Sequence, residues 1–571
     1  MQNLRQYFIW TIVISLIIIL FVLGKIAGIF PLGIIPFGII TVSIFALAIF
    51  YPRQTFWLFI ASLPLENIII SPDIIFVSLR PFQLIGGVLV LVLLKEGFFG
   101  RKQNNISRNK KINFPILRFD CFVCQIFQFK FCQIKKSGVY LNPLDRVVAI
   151  LGLAGLVGAQ FSPVKTVSLK LTIILLSFIG LYWVTRNFVR NRKQIGEVVW
   201  FFIVSFVAVA FFSFYQIVAS KLGWDSFQVM AERINGTFTE PDWLGMYLVF
   251  LLAILLGMKY ILKLLTKNKN IFGEKMRRFT ELYIMHWSAF KIFRLLINGE
   301  IILAILIIIL TVSRSAWLAG LIVLSGYIFI IFVKHGWQES LRVIFLAGLK
   351  IILVVLFVSV IGLSTFHLGN RATSSVSGLQ KITVSCLSST NLTEGSKINN
   401  TVELTQFDCR HINLEEISLE KEAGRRVLEV YRLDPNIEIR KNIYKITGQE
   451  IKKHWLFGQG FGSSSSFLGK DSLGHGLNAS NIFLEVLVSI GLVGSLPFLL
   501  IMLTPLVVGW KSLQIKAGKY GDKQKEVLAV FFLLTFLAIV IPNLFNSGFF
   551  LGFFWVWLAV VVSSLVGANN K

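Results

Sequence analysis

The chain has 571 residues, of which 55% are hydrophobic and only 15% charged, with a formal net charge of +27. A soluble core cannot hide that much apolar surface, so the bilayer is the expected solvent. The positive charge does not point to nucleic acid, because Lys and Arg gather in short clusters between apolar runs rather than along an arm or groove.

In chain order, Arg5 precedes the apolar run Phe8 to Leu23, and Lys25-Ile26-Ala27-Gly28 offers no small-x-small cleavage site. This reads as an uncleaved first span. Further apolar stretches lie near 32–50, 55–70, 74–94, 146–161, 166–185, 197–219, 243–262, 300–312, 315–333, 347–364, 481–508, 527–541 and 544–565. The fold expected is all-α, a polytopic transmembrane helical bundle of about 10–14 spans with one large extracytoplasmic loop. The chain then divides into N-terminal spans (1–95), a basic cytoplasmic loop (96–145), central spans (146–364) with a shorter outer loop at 220–242, the large loop (365–480) and C-terminal spans (481–571).

Basic residues set the orientation. Arg101, Lys102, Arg108, Lys110, Lys111, Lys135 and Lys136 fill one connection, and Arg186, Arg190, Arg192 and Lys193 another. Lys267 through Arg294, Lys334 through Lys350, and Lys511 through Lys525 repeat the pattern, each separated from the next by an even number of spans. All of these should be cytoplasmic, with both termini inside. In the large loop, acids such as Glu394, Glu403 and Glu420 balance the bases, so it carries no retention signal. Its stretch Thr373 to Thr405, rich in Ser, Thr and Asn, reads as mobile, whereas Ile437 to Trp455 has helical spacing. Cys121, Cys124 and Cys132 fall in the basic connection and lack a fourth zinc ligand nearby. Cys386 and Cys409 share the loop and can pair if that compartment is oxidising.

Three segments carry chemistry, and this topology puts all of them outside. One is Arg233-Ile234-Asn235-Gly236-Thr237-Phe238-Thr239-Glu240-Pro241-Asp242, leading into a span. A second, Thr311-Val312-Ser313-Arg314-Ser315-Ala316-Trp317, interrupts the apolar stretch Glu300 to Phe332, which divides into two short helices with Arg314 near the outer surface. The third runs from Arg440 through His454-Trp455-Leu456-Phe457-Gly458-Gln459-Gly460-Phe461-Gly462 to Asn478-Ala479-Ser480-Asn481 and Glu485, then Gly491-Leu492-Val493-Gly494. The glycine-spaced stretch fails the Walker pattern and reads as a flexible turn at a site rim.

Taken together over about residues 230–510, these segments resemble the O-antigen ligase and polysaccharide polymerase family, membrane glycosyltransferases that use polyprenyl-diphosphate-linked sugars. The resemblance implies that Arg233 and Arg314 hold the donor diphosphate, with Arg440 and Asn481 as further substrate contacts. Guanidinium suits this role, since it stays charged and binds phosphate oxygens through two donors. The partners implied are a polyprenyl-diphosphate-linked glycan, an acceptor glycan or glycolipid and membrane lipids, with no nucleic acid; the location implied is a bacterial cytoplasmic membrane. Family ligases place a His immediately before the span-opening Asn, but here that residue is Ser480, so His475 and Glu485 are the candidate bases. No cofactor is expected, no metal-ligand motif stands out, and a loop carboxylate such as Asp242 could bind a divalent metal. A transporter or flippase that uses the arginines for an anion or lipid phosphate, and a non-catalytic scaffold of an envelope polysaccharide assembly, are the rival readings.

Overall fold

The computed structural model describes residues 2–74, 78–99, 143–230, 233–267, 287–360, 378–387, 390–399, 401–412, 416–433, 435–469, 476–514 and 520–567. Cys121, Cys124, Cys132 and His475 lie outside the described residues.

The chain is an all-α polytopic membrane protein. Its apolar helices are α1 (Gln2–Ile26), α2 (Ile34–Phe50), α3 (Pro52–Ser62), α4 (Pro81–Phe99), α5 (Pro143–Gln160), α6 (Lys165–Phe188), α7 (Arg192–Leu222), α8 (Pro241–Lys267), α9 (Trp287–Leu310), α10 (Arg314–His335) and α11 (Trp337–Val360). Among the described residues, ten helices are long and apolar enough to cross a bilayer. Large apolar side chains such as Phe8, Ile35 and Val42 point outward, as they should where lipid replaces water. Inside, α8 is wrapped almost completely, with Tyr247 and Tyr260 fully buried.

Two sequence expectations shift here. The span expected near 300–312 begins earlier, at Trp287, so Lys291 and Arg294 are helical and the helix is not half-deep. At 24 residues it covers about 36 Å, enough for the hydrocarbon core. The break after it is real, and α10 starts at Arg314. Likewise α11 starts at Trp337, so most of the basic stretch 334–350 is helix rather than loop.

The large loop is partly a small folded unit. Strands β1 (Leu379–Cys386), β2 (Lys397–Ile398), β3 (Cys409–His411) and β4 (Arg426–Leu433) form one sheet of order β2-β4-β1-β3. The long pair, β1 and β4, runs antiparallel from Leu379 opposite Leu433 to Cys386 opposite Arg426. Cys386 also faces Cys409 across β1 and β3, and the two form a disulfide. Ile382, Val384, Leu428 and Val430 are buried together with Leu392, Ile398 and Leu404. The expectation of mobility from 373 to 405 is therefore corrected from residue 378 onward: β-branched residues in Lys381-Ile382-Thr383-Val384 outweigh the polar composition around them. Helices α12 (Ile417–Glu422), α13 (Pro435–Lys453) and α14 (Ser464–Leu468) follow, and α13 falls where the spacing predicts a helix.

The last spans are α15 (Ile482–Gln514), α16 (Tyr520–Asn543) and α17 (Gly552–Gly567). Helix α15 is broken at Gly491, which sits at φ 58° and ψ −165°. The segment before α14 fills the break. Gln459 and Gly460 N–H groups donate to the Val488 and Ser489 carbonyls, both at 2.8 Å, and Leu492 and Val493 N–H groups donate to Trp455 and Leu456 carbonyls at 2.9 and 3.2 Å. The groups freed by the break are thus satisfied by protein, as an apolar surrounding requires. A Cβ on Gly491 would meet the Leu456 carbonyl at 2.3 Å, and one on Gly458 the Ser489 carbonyl at 2.5 Å. This corrects the reading of Gly458 to Gly462 as a flexible turn: the stretch is clamped between α5, α6 and α15.

Helix ends sort onto two faces. On one, the turns between α5 and α6, α7 and α8, and α9 and α10 lie with the large loop and the link from α16 to α17. On the other lie the structural ion pairs: Arg53 with Glu197, and Arg186 with Asp145 at 2.9 and 3.0 Å.

Candidate active site

The first two sequence segments meet on the loop face. The Ile234 N–H donates to the Leu310 carbonyl at 3.3 Å, which ties the loop before α8 to the end of α9. The loop itself is braced from within. Asn235 and Thr237 are fully buried. Gln216 Nε2 donates to Asn235 Oδ1 at 3.0 Å and its Oε1 accepts the Gly236 N–H at 2.8 Å, while Thr237 Oγ1 donates to the Pro64 carbonyl at 2.6 Å. Gly236 has φ 52°, where a side chain would be strained and would press on Ser213 and Leu244. These four residues are scaffold, and they leave Arg233 at one end of the loop and Glu240 and Asp242 at the other as its charged groups.

Arg233 is held by three partners. Its Nε donates to the Thr311 carbonyl at 3.0 Å, one terminal nitrogen lies 3.3 Å from Asp242 Oδ1, and the other lies 3.1 Å from Met230 Sδ. The carbonyls at the C-terminal end of α9 and the Asp242 carboxylate both favour a cation there. Ser313 Oγ donates to the same Asp242 Oδ1. Asp242 Oδ2 has no partner among the described residues, and the side chain keeps 27% of its exposure. Asp242 also sits in the first turn of α8, the favourable end for an acid.

Arg314 opens α10 directly after Ser313, which caps the helix by accepting the Ala316 N–H at 3.4 Å. Arg314 is half-buried and engaged by its surroundings. Gly245 of α8 allows the close approach: a Cβ there would lie 2.6 Å from Ala316 Cβ. The turn is strained, since Val312 is β-branched, buried and at φ 51°. Such a conformation costs on the order of 1–3 kcal/mol and persists only where the surroundings impose it. Trp317 Nε1 closes the turn by donating to the Ile308 carbonyl at 3.0 Å.

The third segment forms a neighbouring cluster. The Arg440 guanidinium lies 5.6 Å from the Phe545 ring centroid in the link between α16 and α17, a cation–π contact. Asn481 Nδ2 donates to the adjacent Leu544 carbonyl at 3.0 Å, while its Oδ1 caps α15 by accepting the Phe483 and Leu484 N–H groups at 2.9 and 3.2 Å. This link is closed by the Gly548 N–H donating to Asn543 Oδ1 at 2.7 Å. Gly548 packs on Met246, one turn along α8 from Asp242. The arginine clusters are therefore adjacent through the α16–α17 link, with no direct contact between Arg233 and Arg440.

Glu485, the other candidate base, lies beneath the turn that opens α15. It is buried, and its carboxylate accepts Ser464 Oγ at 3.2 Å and the Ala479 N–H at 3.0 Å. It fastens the segment leading into α15. Ser480 adopts φ 49° at the corner before Asn481. Sequence reasoning missed Gln216 and Phe545, and it gave Asp242 only a metal role. The polar Gln216 inside an apolar run was the available signal. Among the described residues, no three His, Cys, Asp or Glu side chains gather as a metal site.

The family description O-Antigen ligase matches residues 301–499. That stretch contains Arg314, Arg440, Asn481 and Glu485 and begins after Arg233. No curated protein matches the chain. Residues 301–499 of this many-span chain are thus similar to the O-antigen ligase/polymerase family of membrane proteins. That similarity supports a membrane glycosyl-transfer role in polysaccharide biosynthesis.

Proposed function

We propose that the chain transfers or polymerises glycans from a polyprenyl-diphosphate donor to an acceptor sugar hydroxyl at the outer face of a bacterial cytoplasmic membrane. The observation that supports it best is the joining of Arg233, Asp242, Ser313 and Arg314 across two turns on the face that carries the large loop. The disulfide between Cys386 and Cys409 agrees with an oxidising compartment for that face.

In this reading the acceptor oxygen attacks the donor's anomeric carbon, and the carbon–oxygen bond to the diphosphate breaks. The electron pair stays on the leaving diphosphate, where Arg314 and Arg233 stabilise the growing charge. Asp242 takes the hydroxyl proton through its unpartnered Oδ2, in the role for which the resemblance expects a histidine. Arg233 holds Oδ1 and so orients that carboxylate. The leaving group supplies the driving force, so no nucleotide enters.

The test is in vivo complementation with protein level monitored. Arg314→Ala should abolish surface polysaccharide while the protein accumulates normally. Asp242→Asn, which keeps an oxygen for Ser313, should slow transfer by about 10²-fold or more. Normal polymer in Arg314→Ala would overturn the diphosphate site; normal polymer in Asp242→Asn alone would overturn only the proton acceptor.

A further inference from the structure

Away from the loop face, a second cluster of cations sits inside the helix bundle, and the proposed reaction makes no use of it. Lys350 of α11 donates from Nζ to Asn298 Oδ1 of α9 at 2.7 Å. Lys259 of α8 lies within hydrogen-bond reach of Lys350 and within Coulombic range of Arg294 and Lys263. Lys263, one turn further along α8, is paired with Glu339 at 2.7 Å. Four cations from three helices thus gather around Lys259, and the carboxylate at their edge, Glu339, is already engaged by Lys263.

Depth makes the arrangement costly. Lys259 is 18 residues beyond Pro241, so it lies about 27 Å down α8 from the loop face. That is close to the far edge of a hydrocarbon core about 30 Å thick. Two ammonium groups brought together at such a depth repel each other and attract an anion. The flanks of the cluster, Leu295 beside Arg294 and Leu349 beside Lys350, are exposed apolar side chains of the kind that contact acyl chains. Basic pockets between spans at this level suit lipid phosphates.

We propose that Lys259, Lys350 and Arg294 form a binding site for the phosphate of an anionic phospholipid in the leaflet opposite the large loop. The lipid headgroup supplies the missing negative charge and holds α8, α9 and α11 together. The site stands apart from the glycosyl-transfer reading and does not depend on it.

The experiment is thermal unfolding of the delipidated full-length protein in detergent, with phosphatidylglycerol, phosphatidylcholine or inorganic phosphate added. Phosphatidylglycerol should raise the wild-type midpoint by several degrees, and the other two should raise it little. Lys259→Gln with Lys350→Gln should abolish the response and, by removing the repulsion, melt higher than the wild type when lipid-free. Lys350→Arg should keep the response. An equal rise with phosphatidylcholine would show no headgroup charge preference, and an equal rise with inorganic phosphate would assign the site to a free anion. Either result overturns the proposal, as does a double variant that keeps the full response or fails to fold.

Discussion

Arg233 and Arg314 differ in what surrounds them, and the difference has a measurable consequence. Arg233 spends its fork on Thr311, Asp242 and Met230, so it both fixes the carboxylate and presents charge. A lysine would keep the charge but lose the planar set of donors. Arg233→Lys should therefore lower turnover by roughly tenfold to a hundredfold, with most of the loss in kcat, as expected when a positioned group is displaced. A loss confined to KM, measured with purified enzyme and lipid-linked donor, would mean that Arg233 only binds the ground state. Arginine next to Gly-Thr-Phe was visible in the sequence as a candidate, but its partner was not. Asp242 is nine residues away along the chain, and Ser313 is 71 from Asp242; only the docking of α8 on α10 brings them together.

At the scale of single elements, α15 and the β insert show two kinds of illegibility. The apolar stretch from 481 to 508 reads as an ordinary span, and hydropathy carries no sign that its backbone opens at Gly491. Glycine spacing gave a hint, yet it suggested mobility where the structure has a clamp. Gly491→Ala should therefore be severely destabilising, since the added carbon meets a carbonyl at 2.3 Å and the residue needs positive φ; a large fall in the thermal midpoint of the purified protein checks this, and an unchanged midpoint would contradict the clamp. In the β insert, alternation was hidden because both faces of β1 are covered: Ser385 is buried on one side and donates to Glu420. The Ser385 hydroxyl and Arg410 hold the Glu420 carboxyl below its ordinary value of 4.5, and burial with the nearby Arg432 pushes His411 below 6.5. Both folded values are depressed, so the unfolded chain binds protons first as pH falls. Stability is complete above pH 6.5 and drops through the His411 range, then again below 4.5. Hydrogen exchange of β1 and β4 amides in the full-length protein, corrected for intrinsic rates, should show protection lost in those two windows; protection independent of pH would contradict the coupling.

Across the whole molecule, composition alone was enough to specify a many-span helical protein, and basic clusters indicated which helix ends belong together. Helix starts were less legible. Trp287 to Asn298 contains Lys291 and Arg294, and charge within a span is what a hydropathy reading treats as loop. Orientation in the membrane can be measured directly. With Cys121, Cys124 and Cys132 replaced, Lys397→Cys on the insert should react with an impermeant maleimide in intact cells, and Lys511→Cys only after permeabilisation. The opposite pattern would place the arginine site inside the cell and remove the proposed reaction from the outer leaflet.

The clamp at Gly491 also bears on how the chain is built. While α15 stands alone, the Val488 and Ser489 carbonyls lack their partners, and those partners lie upstream on the segment that leads out of the large loop. Synthesis from the N-terminus supplies them in the right order: residues 455–460 are made before α15 emerges and can dock beside α5 and α6. Placement of the loop is thereby a step in completing the membrane domain, and α15 is a span whose final shape depends on chain already made.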